Sequence, residues 1–342
     1  MHETDADRPD EGDPLAQIVR AAGRREAPPA AHYEQVFAAT HAVWVRRMRQ
    51  RRQRRWFAAA AATALLTTGA VFILAWLNQA TAPIGEMIAM HGTVERFDAD
   101  SDRWLAVDVG ADTRGENRSV TEALEAGTRL RTRADSGIAL AMTTGGSLRV
   151  HADTLLTLDR AGVELTTGTV YFDSADRPKD QPIEILTALG RVRDVGTQFE
   201  VHLGAGNLRV RVRSGEIAVL ESPVPGAVAG QAGDEVELSS AGEITRRDIA
   251  PDDTRWSWTQ ALAVAPQFAT PTVHAYLVWI ASETGRQLRF ASETVRLQAE
   301  LARFIGDPAG LTPTQLLVTI AATSNFSYEI TGDGTIMVGR NE

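Results

Sequence analysis

Seven histidines, at positions 2, 32, 41, 91, 151, 202 and 274, are the residues best suited to hold a metal or move a proton. None belongs to an H-E-x-x-H helix, and no two stand four apart on a helical face. His91, His151 and His202 fall in β-like segments and would meet only if strands brought them together, so no metal site is expected. Gly145-Gly146-Ser147 lacks the G-x-S-x-G pattern of a nucleophile elbow and reads as a hairpin turn. No phosphate-binding loop or dinucleotide fingerprint occurs. The carboxylate pairs Asp98/Asp100 and Asp252/Asp253 lie in polar, turn-like stretches and are expected to be solvated. Arg209, Arg211 and Arg213 alternate with Leu208, Val210 and Val212; they have the chemistry to bind an anionic partner, but a solvated strand face is the simpler expectation. With no cysteine, disulfides, thiolate ligands and cysteine nucleophiles are excluded. No catalytic residue and no cofactor is expected, and the chain is not read as an enzyme.

The elements that would position any site are set out by charge and hydropathy. From Trp56 to Gly85 there is no charged residue or histidine. The apolar part, Trp56–Leu77, is 22 residues long, or roughly 33 Å of helix, enough to cross a bilayer's hydrocarbon layer. Arg46, Arg47, Arg49, Arg51, Arg52, Arg54 and Arg55 precede it without an intervening acid, which predicts a cytoplasmic N-terminal side. Arg54, Arg55, Trp56 and Trp76 are the expected membrane anchors, because indole rings favour the headgroup layer. Ala80-Thr81-Ala82 resembles a signal-peptide cleavage site, but the long preceding segment and Pro83 favour a retained anchor. The sequence thus predicts a single-pass inner-membrane protein with its larger part outside. Residues 1–55 carry eleven arginines and eight acids, a net of +3, so the remainder is −12 of the total −9. An acidic outer part does not suggest direct nucleic-acid binding.

Within residues 1–55, Asp13-Pro14 reads as a helix start, with Leu15, Ile18, Val19 and Ala22 as a short apolar stripe. Tyr33, Val36, Phe37, Thr40, Trp44 and Met48 share a face of a second helix. Two short amphipathic helices cannot bury both stripes alone, so a protein partner is expected there; packing on each other or on the lipid surface is the competing reading.

Residues 83–250 have the texture of short β segments separated by glycine turns, with Gly146, Gly168 and Gly190 spaced by 22 as a hint of stacked repeats. Residues 251–267 form a linker whose Trp256 and Trp258 suggest docking on the β domain. Residues 268–342 read as a small α+β domain. It has a helix through Val273, Leu277 and Ile280 stopped by Gly285, a strand Leu288–Phe290 and a helix opened by Thr312-Pro313. A final hairpin joins Ser327–Ile330 to Thr335–Val338. The fold class is therefore mainly β with an α+β domain, short N-terminal helices and one transmembrane helix at 56–78. Thr335, Ile336, Met337 and Val338 are the expected free edge for pairing with a partner.

Four segments resemble the FecR family of membrane-spanning regulators of extracytoplasmic-function sigma factors: Gly145–Val150, Val163–Asp173, Val195–Val201 and Val212–Val219. Gly196-Thr197-Gln198-Phe199 is the sharpest match, and Gln231-Ala232-Gly233-Asp234 stands where a further turn of the pattern would. The C-terminal part resembles the secretin and TonB short N-terminal (STN) domain, although its leucine-glycine before the second helix is replaced by Phe304-Ile305-Gly306-Asp307. The resemblance implies a β-rich, solenoid-like outer domain followed by an STN-like domain. It also implies inward signalling, often with proteolysis of the regulator, to a sigma factor held on the cytoplasmic side, here through Leu15, Ile18, Val19, Tyr33, Val36, Phe37 and Trp44. The signalling domain of a TonB-dependent outer-membrane transducer is the implied outer partner. The competing reading is an envelope binding or structural module with the same folds and no sigma partner, because fold does not fix function.

Overall fold

A computed structural model of the chain describes residues 14–23, 82–107, 118–174, 177–178 and 181–341. The chain divides into two units, Met1–Leu77 and Asn78–Glu342. In the first, α1 (Pro14–Ala21) begins at the proline as its φ restriction favours, and Leu15, Ile18 and Val19 are all exposed. Tyr33, Val36, Phe37, Trp44, Arg54, Arg55, Trp56, Trp76 and the apolar run lie outside the described residues. Among the described residues no helix is long and apolar enough to cross a membrane.

The second unit opens with β1 (Pro83–His91), β2 (Val94–Asp98), β3 (Arg103–Ala106), β4 (Arg118–Glu125), β5 (Arg129–Thr132) and β6 (Gly137–Met142). Next come β7 (Ser147–Val150), β8 (Leu155–Leu158), β9 (Gly162–Asp173), β10 (Glu184–Thr187), β11 (Gly190–Asp194) and β12 (Gln198–Leu203). The series ends with β13 (Asn207–Ser214), β14 (Glu216–Leu220), β15 (Val228–Gln231), β16 (Asp234–Ser239) and β17 (Ile244–Asp248). They form two layers. The first runs β4-β1-β6-β7-β9-β12-β13-β16-β17. The second runs β3-β2-β5-β8-β9-β10-β11-β14-β15. From β10 onward each layer receives one antiparallel hairpin in turn, β10–β11, β12–β13, β14–β15 and β16–β17, which is why short alternating segments suffice.

Strand β9 belongs to both layers. Its first half pairs with β8 and β10, its second with β7 and β12. The switch falls at Gly168, with φ +99°, where a Cβ would lie 2.3 Å from Thr154 Oγ1; only glycine allows both the backbone angle and the approach. Gly146 and Gly190 instead sit at hairpin ends in different layers. The 22-residue spacing therefore does not mark equivalent positions, and the repeating unit is the hairpin. Alternation sends Leu140, Leu148, Phe172, Phe199, Val201, Val210 and Val236 from the first layer, and Leu130, Leu156, Val163, Ile185, Val192 and Val219 from the second, into one core.

After β17 a 3₁₀ turn (Thr254–Trp256) and α2 (Ser257–Ala261) lead to the C-terminal domain. There α3 (Val273–Thr284) is capped by Thr272 and closed by Gly285 in the left-handed region. It is followed by β18 (Leu288–Phe290) and by α4 (Glu293–Leu301), capped by Ser292. Then come α5 (Pro313–Thr323), with a Thr312/Gln315 capping box, β19 (Phe326–Ile330) and β20 (Ile336–Arg340). The hairpin β19–β20 forms as expected, but its second strand is not an edge. The sheet order is β18-β20-β19, with β20 parallel to β18 and antiparallel to β19. Thr335, Ile336 and Val338 are buried, and Ile336, Met337 and Val338 are paired on both sides. The strand with the most apolar inward residues takes the central place over α3 and α5, leaving β18 and β19 as the edges.

Candidate functional site: a charged seam under the C-terminal domain

Much of the face of the first layer that points away from the core is covered, and its β17 end stays exposed throughout. Register places Arg149, Tyr171, Glu200, Arg211, Glu235 and Arg247 in one row across β7, β9, β12, β13, β16 and β17. Neighbours in such a row lie close enough to interact. Arg211 Nη1 donates to Glu200 at 2.9 Å and its Nε to Glu235 at 2.6 Å, and Arg247 reaches Glu235 at 3.3 Å. The next row contains His202 opposite Thr169 and Arg209. A β-bulge near Gln198 breaks the alternation of β13, so Val212 and Arg213 are both buried, Arg213 with 3% of its surface exposed. The expectation of a solvated arginine face is overturned here. Arg149, Tyr171, Glu200, Arg213 and Glu235 lie under a cover that follows in the chain, while Arg247 on β17 stays exposed.

That cover is the linker and α3. The fully buried Trp256 donates its Nε1–H to Ala250 O at 3.0 Å and meets Tyr171 edge-on at 6.1 Å between centroids. Arg213 stacks over it at 5.2 Å. Trp258 donates to Glu200 Oε2 at 2.9 Å and contacts His151 edge-on at 4.7 Å. Leu262 is buried with Ala89 of β1 and Ala139 of β6. The tryptophans thus dock the linker, as their positions suggested.

The C-terminal domain is held by buried polar bonds. Glu283 on α3 accepts a bidentate pair from Arg149, at 2.7 and 2.6 Å, and Arg149 also donates to Thr259 O at 2.9 Å. Forked pairing of this kind is directional as well as strong. Burial disfavours the charge on Arg149, but the facing Glu283 carboxylate overrides it and raises the arginine pKa. Burial pushes the Tyr171 hydroxyl up strongly. Arg213 donates from Nε to Pro251 O at 2.7 Å and from Nη1 to Glu283 O at 2.9 Å. Gln198, in the sharpest sequence motif, bridges Asp173 at 2.9 Å and Ser282 of α3 at 3.0 Å. At Gly285 the left-handed turn closes on the linker: a Cβ there would stand 1.9 Å from Pro251 O.

The Asp252/Asp253 pair also departs from expectation. Asp252 pairs with Arg286 at 3.2 Å, tying the linker to the C-terminal domain. Asp253 caps the 3₁₀ turn, and its hydrogen bonds from Arg255 lower its pKa to about 2. His91, His151 and His202 are each partly buried. Burial lowers all three pKa values, and the charge of His151 adds to the shift at His91 and His202. Among the described residues no group of three histidines or carboxylates is placed to hold a metal. Their contacts are those of packing, with Thr169 Oγ1 2.8 Å from His202 Nδ1.

Sequence reasoning missed Arg149, Glu200, Glu235 and Glu283. A signal was present: Arg149 and Glu200 are each a charge flanked by apolar residues in a strand, and such a face needs either water or a polar cover.

Residues 128–218, from just before β5 to within β14, match the model of the FecR protein family. Two crystal structures of a candidate anti-sigma factor from Parabacteroides distasonis ATCC 8503, at 2.50 and 1.65 Å resolution, are similar to this chain at 13% identity. The similarity covers 63% of this chain and 99% of theirs, with a TM-score of 0.34. No curated protein matches the chain.

Proposed function

We propose that this chain is a single-pass inner-membrane regulator of an extracytoplasmic-function sigma factor, relaying a signal from outside the membrane to transcription. The match of residues 128–218 to the FecR family carries the reading. It is supported by the arginine-flanked apolar run at 56–77 and by the amphipathic stripes before it. In this reading Leu15, Ile18, Val19, Tyr33, Val36, Phe37 and Trp44 contact the sigma factor. Residues 268–342 act as an STN-like receptor end, with the signalling domain of a TonB-dependent transducer as the outer partner.

The seam supplies a physical route for the relay. Strand β1 follows the apolar run in the chain and contributes Ala89 to the patch under Leu262. A partner that shifts the C-terminal domain therefore acts on the linker, and the linker rests on the strand nearest the membrane span in sequence. Two-state docking of this kind transmits only the difference in a ligand's affinity for the two states.

Deletion of residues 268–342 tests the proposal. Membrane insertion should persist while sigma-dependent transcription becomes insensitive to the inducer. A truncated protein that still responds normally would place sensing elsewhere.

A further inference from the structure

Between the edge of the sandwich and the C-terminal domain lies a cleft of about 410 Å³, within the range of small-ligand sites. Its walls include Arg177, Arg213, Arg286, Thr197, Gln198 and Ser282. Three guanidinium groups here meet two carboxylates. Asp173 accepts from Gln198, and Asp252 pairs with Arg286. Arg213 is almost fully buried, bonds two backbone carbonyls, and keeps its Nη2 buried without a hydrogen-bond partner. Arg177, which is only partly buried, also bonds backbone and hydroxyl oxygens, Gly145 O at 3.3 Å and Thr144 Oγ1, and burial lowers its pKa. A buried cation satisfied only by neutral oxygens retains attraction for an anion, since desolvation is incompletely offset.

We infer that this cleft is a binding site for a small molecule carrying a carboxylate or phosphate group, held between the sandwich and the C-terminal domain. Arginine forks match both groups. The two walls come from different parts of the chain: Arg177, Thr197, Gln198 and Arg213 from the sandwich, Ser282 and Arg286 from the C-terminal domain. An anion that bridges them stabilises the docked state and no other, by mass action. This inference does not depend on the presence of a sigma partner, and it makes the docked arrangement responsive to a diffusible ligand.

The test is titration of the full-length protein with inorganic phosphate and, separately, succinate, followed by calorimetry and thermal unfolding at constant ionic strength set with chloride. Saturable binding of either is expected, and the arm that saturates identifies the group recognised. Arg286→Gln should weaken that binding about tenfold. Asp252→Asn frees Arg286 from its competing carboxylate and should strengthen it. The opposite signs separate a ligand contact from simple loosening of the seam, because both substitutions remove the same ion pair. Absence of saturable binding by both anions, or equal weakening in both variants, would overturn the assignment.

Discussion

Replacing Glu283 with glutamine removes one charge from the seam and little volume. Its side chain and that of Arg149 are 5% and 4% exposed, with the closer N–O distance 2.6 Å. Water therefore cannot take over the lost interaction. Breaking one partner of a buried pair leaves an uncompensated charge and costs about 3–5 kcal/mol. Spread over the docking equilibrium, that is roughly two to three and a half orders of magnitude. Arg149 would keep Thr259 O as a partner, which places the effect toward the lower end. Hydrogen exchange of the full-length chain, read in peptides covering residues 254–262 and 273–284, should show that loss of protection while β12 and β13 stay protected. The double variant Arg149→Met/Glu283→Leu should recover most of it, because an apolar pair of similar volume escapes the desolvation cost. If Glu283→Gln alters protection less than tenfold, about 1.4 kcal/mol, the seam does not rest on this pair and the reasoning is wrong.

Trp256→Ala should destabilise the second unit by about 3–5 kcal/mol, since the indole is fully enclosed; urea unfolding followed by circular dichroism measures it. Acidification should loosen the seam. Burial holds the folded pKa values of His91, His151 and His202 below the ordinary imidazole value of about 6.5, so the unfolded chain binds protons first. Their contribution is complete above about pH 6.5 and is lost as pH falls toward the lowered folded values. The urea midpoint should drop between pH 7.5 and 5.5, and His151→Gln should flatten that dependence despite the opposing fields of Glu200 and Asp153. For topology, alkaline phosphatase fused after Gly110 should be active and after Ala30 inactive; the reverse pattern would refute the orientation.

The elements with strong local determinants were legible in the sequence. Thr312 announced one helix and Gly285 ended another, although that helix is capped by Thr272 and not by Thr270-Pro271, and the β19–β20 hairpin followed from Gly332-Asp333-Gly334. The 293–301 helix was overlooked, although Ser292 caps it and Arg296 pairs with both Glu293 and Glu300. Strand order was harder to read. Nothing local to Ile336–Val338 says that β18 will arrive beside it after two intervening helices, so an interior strand looked like an edge. The seam was hidden for the same reason. Arg149 and Glu283 are 134 residues apart, and only the cover supplied by Trp256 and Trp258 turns an apparently wet arginine face into a buried one. What could be read locally was that the linker tryptophans needed somewhere to dock.

The central claim is that the N-terminal segment engages a sigma factor, and capture of the full-length protein from its native cells addresses it most directly. An affinity-tagged chain, solubilised and analysed by mass spectrometry, should bring down an extracytoplasmic-function sigma factor. The same chain carrying Leu15→Ser, Ile18→Ser and Val19→Ser, which alter an exposed helical stripe, should lose it while remaining in the membrane. Recovery of no sigma factor with residues 1–55 intact would contradict the proposed function.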